Sequence, residues 1–445
     1  MSKRNGFFKF VVPSVLAFAL SGVYTIVDGF FIGNSLGDAG LASITLGYPI
    51  SAFVQAAGTG IGLSGAIRFT ILRGQQKEED AKRCLGSTVL LFALTSMLLT
   101  GLALLFLSPL LRILGAEGEV LGMAAEYVRI IALGAVFQIF STGLVPFIRN
   151  LGGASFAMFS MGSGFLTNII LDYLLVWVYP WGMAGAALAT ILGQAVTMLA
   201  AAAFLVNKRP GFSIPALREL PAFFGRILKV SAAPFGLIFS PQITAVFMNR
   251  FLMLYGGDRA VTVYGCISYI TAIVYLLLQG VGDGSQPLIS RYFSENRFPV
   301  MKQMRKLAYL SSGAIAAACM AGLFLTRGFV GVVFGASETT NLEVALYLPL
   351  FLLTLLPLAY VRITTAFLYA TEKSALSYLL VYAEPVLIFI LLLILPRIPA
   401  FGFVGVWLSV PAAQLLTWCV AVFVKHRVDA AYRPAEAHRT KMCAE

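Results

Sequence analysis

Two carboxylates carry the strongest chemical signal in the sequence. Asp28 stands in GVYTIVDGFFIG with Tyr24 four residues before it, and Asp172 stands in GFLTNIILDYLLVW with Asn168 four residues before it. On a helix, that spacing puts both members of each pair on one face. Carboxylate, amide and phenol oxygens can bind a proton or Na⁺ within a protein cavity. The plainer role for each carboxylate is a hydrogen bond between helices. Two further acids, Asp283 inside a glycine run and Glu384 just before Pro385, are candidates for a substrate cavity. Amides extend that candidate lining to Gln55, Gln138, Gln242, Asn249 and Gln279, with Gln194, Gln286 and Gln414 behind them. Each amide, taken singly, is equally suited to joining two helices. Glu126 and Arg129, three apart, read as a local ion pair, and Arg362 as a counter-charge for an inward carboxylate.

Such groups need membrane elements to hold them. Of 445 residues, 59% are hydrophobic and 12% charged, against about 25% charged in a soluble domain; mean hydropathy is +0.86. Apolar segments long enough to cross about 30 Å of hydrocarbon are expected near 9–33, 41–71, 84–108, 121–147, 154–178, 183–206, 227–254, 261–290, 305–326, 344–371, 375–396 and 401–424. With both termini cytoplasmic, the inside segments collect clusters such as Lys77, Lys82 and Arg83, or Lys302, Arg305 and Lys306. The outside segments hold only Arg112, Arg259, Arg327 and Arg397. This asymmetry is the positive-inside rule. It accounts for the net charge of +12 without a nucleic-acid partner. The basic start, Met1 to Lys9, leads into an apolar run longer than a signal peptide. It reads as the first span of a multi-pass protein of the bacterial inner membrane, in contact with membrane lipids.

Five scattered cysteines, Cys84, Cys266, Cys319, Cys419 and Cys443, read as free thiols. Both histidines, His426 and His438, fall in the C-terminal tail, away from any site in the membrane. No P-loop, HExxH, GxSxG or kinase pattern is present. Neither an enzymatic activity, a cofactor, an obligate protein partner nor direct ATP coupling is expected. No selectivity-filter loop recurs to mark a channel.

The chain reads as two similar halves. Pro13 lies fifteen residues before Asp28, and Pro234 fifteen before Asn249. Gly37-Asp38 is echoed by Gly257-Asp258, and Gly58, Gly60 and Gly62 in GTGIGLSG match Gly280, Gly282 and Gly284 in GVGDGSQP. These glycines suit either close helix packing or a hinge. The expected organisation is a six-helix N-terminal lobe (1–206), a cytoplasmic linker (207–220) with room for a short interfacial helix, a six-helix C-terminal lobe (221–426) and a cytoplasmic tail (427–445). The fold class is therefore all-α, with 12 transmembrane helices in two pseudo-symmetric lobes. Parallel repeats of this kind can rock about a central cavity.

The stretches PSVLAFALSGVYTIVDGFFIGNSLGDAGLASITLGYP, GTGIGLSGAIRFTILRG, TNIILDYLL, WGMAGAALATILGQ and GVGDGSQPLISRYFSENR resemble those of multidrug and toxic compound extrusion (MATE) transporters. The last is most similar to the MepA-like branch, and the resemblance covers nearly the whole chain. It implies a V-shaped pair of lobes around a central cavity that exports small amphipathic, often cationic compounds by antiport with H⁺ or Na⁺. It further implies that Asp28, Asn168 and Asp172 form the cation-coupling site, with Tyr24 beside them and Na⁺ as one candidate ion. Some relatives use acidic residues in the C-terminal lobe; here the seventh span offers Asn249 instead. The alternatives are a flippase or exporter of a lipid-linked saccharide and, more remotely, a non-transporting membrane scaffold.

Overall fold

The computed structural model describes residues 3–442, so Cys443 lies outside the described residues. The first unit opens with α1 (Lys3–Gly74), a 72-residue helix broken at Gly37 (φ 62°, ψ −157°). Only glycine takes up that conformation readily. There follow α2 (Glu78–Leu105), the short α3 (Leu107–Ile113), α4 (Gly118–Leu133), α5 (Ala135–Asn150), α6 (Ala154–Asp172) and α7 (Gly182–Lys208). Between α6 and α7, Tyr173–Val178 form a π-helical turn. The same order then repeats as α8 (Leu220–Ser294), broken at Gly257, α9 (Phe298–Leu325), α10 (Arg327–Val333), α11 (Glu338–Leu352), α12 (Leu355–Ala370), α13 (Ser374–Ile394) and α14 (Gly402–Met442).

Among the described residues, eight helices are long and apolar enough to cross a bilayer, and the bent pairs α4–α5 (56°) and α11–α12 (46°) supply two more crossings. Taking α1 and α8 as two crossings each brings the total to twelve, as the hydropathy predicts. The chain separates into two compact units, 1–239 and 240–445. Residues 209–219 are coil and turn, without the short interfacial helix that the linker had room for. The linker lies on the first unit, where the Ser213 N–H donates to the Lys82 carbonyl at 3.3 Å. Gly86 leaves room for it, since a methyl group there would strike the Ser213 carbonyl.

The repeat can be measured on the backbone. Positive φ occurs at Gly37 and Gly257, Gln76 and Asn296, Gly115 and Gly335, Gly152 and Glu372, and Gly182 and Gly402; each second residue lies 220 positions after the first. That offset pairs Gly60 with Gly280 and Gly62 with Gly282, two residues away from the matching made on the glycine runs. It also pairs Asp28 with Met248, so Asn249 is not the counterpart of Asp28. Glycines spaced by two allow more than one alignment; tight turns admit a single count.

Packing explains most of the glycine run. Gly58 and Gly62, four apart, press against α5, Gly62 onto the backbone of Gly143 and Gly58 onto Ile139 Cα at 2.8 Å from its would-be Cβ. Gly60 faces the other way, toward the Ser231 carbonyl at 2.9 Å. Gly282 has more room, its nearest neighbour being Ala366 Cβ at 3.4 Å.

Candidate functional site

Asp28 comes from the first half of α1; Asn168 and Asp172 come from the last turns of α6, immediately before the π-helical turn. Such turns widen the helix and are frequent at functional sites. Asp172 is fully buried and Asn168 nearly so, while Asp28 is partly exposed with Oδ1 buried. Asp28 and Asp172 face each other, and Tyr24 and Tyr127 lie within electrostatic reach of both. Thr190 of α7 stands beside the two phenols, and the Tyr24 ring stacks on Phe165 at 5.2 Å.

The cluster leaves its polar atoms unpaired. Asp28 Oδ1, both oxygens of Asp172, and both Oδ1 and Nδ2 of Asn168 are buried without a hydrogen bond of normal geometry to the protein. Leaving a buried polar group unsatisfied costs roughly 1–3 kcal/mol, and more for a charged one. Close helix packing holds the arrangement in place. A Cβ on Gly193 would lie 2.7 Å from the Gly164 carbonyl and 3.0 Å from Asn168 Cβ, and one on Gly164 would strike Thr197. The α6–α7 seam is thus glycine on glycine directly beside Asn168. A Cβ on Gly185 would meet the Leu175 carbonyl at 2.6 Å, which seats the π-helical turn against α7.

Unit 2 treats the equivalent positions differently. The residues 220 places after Asp28, Asn168, Asp172 and Thr190 are Met248, Ile388, Leu392 and Val410, all buried in one hydrophobic cluster with Trp407. Only Tyr127 keeps its type, as Tyr347, which stacks on Trp407 at 4.2 Å. Among the described residues, the first unit alone carries this polar cluster.

Within each unit, several of the candidate cavity residues are engaged in hydrogen bonds. Gln138 in unit 1 donates to the Ser51 carbonyl and hydroxyl at 3.3 and 3.2 Å, and Gln194 accepts from Ser141. In unit 2, Gln279 donates to Asp283 at 2.7 Å, where the Tyr369 hydroxyl also reaches at 3.4 Å. Gln414 donates to Tyr275 Oη at 2.9 Å and to Glu384 Oε1 at 3.0 Å, and accepts from Thr354 at the α11–α12 bend. The Arg362 guanidinium lies 5.7 Å from the centre of the Tyr275 ring. Gln55 and Gln242 are half-buried and Asn249 is exposed. Glu126 and Arg129 are both exposed and form no ion pair with each other. Tyr127, Thr190, Gly164 and Gly193 escaped the sequence reading, although Thr190 and Gly193 lie within WGMAGAALATILGQ.

A family model, MatE, matches residues 13–174 and 238–395. The multidrug export protein MepA of Staphylococcus saprophyticus is 28% identical over 330 residues, covering 72% of this chain and 71% of that protein. MepA of Staphylococcus haemolyticus is 25% identical over 417 residues, covering 93% and 91%. Among solved structures, the outward-facing conformation of a multidrug resistance MATE family transporter of the MOP superfamily superposes with a TM-score of 0.87. It is 23% identical, with 97% of each chain covered.

Proposed function

The chain belongs to the MatE family, and from that premise we propose that it is a secondary active exporter of small amphipathic, cationic organic compounds, working by antiport with H⁺ or Na⁺. The observation that carries this reading is the set of buried carboxylate and amide atoms of Asp28, Asn168 and Asp172 that have no hydrogen-bond partner in the protein. Facing carboxylates offer each other only acceptors, and a cation between them removes the deficit. A proton shared by Asp28 and Asp172 would do this, as would Na⁺ held by their oxygens and the Asn168 carbonyl.

The cation works on the helices that carry these groups. When it arrives, repulsion between α1 and α6 falls and the two draw together; when it leaves, they part. This differential packing is what biases one access state over the other. The drug leaves on the outer side as the cation binds, and the cation is released inside once access has alternated. Coupling rests on unit 1, because unit 2 offers Met248, Ile388 and Leu392 at the matching positions. In this reading the protein sits in the bacterial inner membrane with both termini in the cytoplasm. The names of the Staphylococcus relatives support the substrate class.

The test is efflux of a fluorescent organic cation from proteoliposomes under H⁺ and Na⁺ gradients imposed separately, for wild type and Asp28→Asn. One gradient is expected to drive movement in the wild type and none in the variant. Folded wild-type protein that moves nothing under either gradient would overturn drug antiport.

A further inference from the structure

Unit 1 has a cavity of about 400 Å³ lined by none of the residues of the carboxylate cluster. It lies where the end of α1, the start of α2, the linker and the start of α8 come together. Five cations line it, Arg68, Lys77, Arg83, Arg218 and Arg226, against two acids, Asp80 and Glu219. Glu219 is already paired with Arg83 at 3.4 Å. Lys77, Arg218 and Arg226 form no ion pair with any described residue.

The repeat shows what is missing here. In unit 2, Arg305 donates to Asp429 at 2.6 Å and Lys425 pairs with the same carboxylate at 3.4 Å. Tyr432, from the same turn of α14, packs on Phe298 and lies 5.0 Å below the Lys373 ammonium. Asp429 thus gives two cations of the second unit a partner within the chain. The residue 220 places before Asp429 is Arg209, a cation where the other unit has its acid. The lining of the unit 1 cavity thus holds cations in excess of acids, and an anion bound there would balance them.

The linker indicates what kind of molecule brings it. Beside the cavity, Phe212, Ile214 and Leu217 are 56%, 56% and 86% exposed. Apolar side chains in the open next to a cationic hollow, at the end of membrane helices, complement a molecule with a phosphate and a hydrocarbon part. A free phosphate would use only the hollow. We propose that this cavity binds the headgroup of an anionic phospholipid, whose acyl chains lie along Phe212, Ile214 and Leu217. The site is independent of the transported substrate, and it ties the linker to the membrane surface beside unit 1.

Native mass spectrometry of the full-length protein in detergent, titrated with phosphatidylglycerol, phosphatidylcholine and inorganic phosphate, tests the assignment. Wild type is expected to retain phosphatidylglycerol in preference to phosphatidylcholine. Arg218→Gln/Arg226→Gln should weaken phosphatidylglycerol binding about thirtyfold, as two surface charges imply. Arg291→Gln/Arg297→Gln, which removes the same charge from unit 2, should leave it unchanged. Equal retention by the Arg218/Arg226 variant and wild type would overturn the site. So would full competition by inorganic phosphate at the lipid's own concentration, which would make the ligand a soluble anion. If the double variant unfolds, Arg218→Gln alone, on the linker turn, reads the same loss at about fivefold.

Discussion

Asp172 is fully buried, and neither of its oxygens has a donor. A group kept in that condition is expected to lower stability for the sake of transport. Asp172→Asn should therefore raise the stability of the detergent-solubilised protein by about 1–2 kcal/mol, because the amide N–H groups can donate to Asp28, and the same change should abolish gradient-driven efflux. Thermal unfolding and proteoliposome transport, measured on one preparation, check both halves; a destabilised variant would mean that the carboxylate has a satisfied structural role. Asp28, Asn168 and Asp172 were legible in the sequence because charged and amide groups are rare in long apolar runs and their spacing of four is local. Tyr127 and Thr190 were not. A single Tyr or Thr in an apolar helix is unremarkable, and only the packing of α4 and α7 beside α1 brings these two to the carboxylates. The positional match of Asn249 to Asp28 failed for a different reason: it was counted from prolines, whereas the turns, 220 residues apart, pair Asp28 with Met248.

At the scale of the element, glycine decides where helices can touch. Gly193→Val would push the α6–α7 seam apart beside Asn168, costing about 1–3 kcal/mol by overpacking, and would impair transport beyond the loss of folded protein. Gly282→Ala, with 3.4 Å to Ala366, should be neutral or gain up to about 1 kcal/mol from helix propensity. Thermal unfolding of the two variants separates them, and equal losses would contradict the packing described. The breaks at Gly37 and Gly257 depend on backbone instead. Alanine at either one is expected to cost about 1–3 kcal/mol in the same assay, although neither position has a neighbour within 4 Å of a new Cβ. The number and approximate placement of the spans were legible because twenty or so apolar residues have no other use in a chain so poor in charge. The 56° and 46° bends and the π-helical turn were not, since they arise from contacts between helices far apart in the sequence.

For the whole molecule, the testable quantity is orientation. Single cysteines in a background without the native ones, at Asp38 and Asp258 beside the two breaks, should react with a membrane-impermeant maleimide added to intact cells. Cysteines at Gln76 and Asn296, in the turns after α1 and α8, should react only after permeabilisation. All four positions are exposed, so a reversed pattern would invert the proposed topology. Duplication was legible at this scale, but its register was not, because the residues that mark the polar cluster in one unit are replaced in the other by Met248, Ile388, Leu392 and Val410. Similar sequence and divergent chemistry coexist because helix breaks and turns are set by backbone geometry, whereas the cluster is a matter of side chains.

The constant spacing of the five positive-φ pairs bears on ancestry as well as geometry. Since the two copies were joined, no unmatched insertion or deletion has survived between Gly37 and Gly182, or between Gly257 and Gly402. Segments cut at those turns are therefore equal in length and interchangeable in register. A gene in which 37–76 is replaced by a second copy of 257–296 would encode a protein of unchanged length, with every turn still in place. The protein carries a reference copy of its own scaffold, against which each later specialisation of the first half can be read position by position.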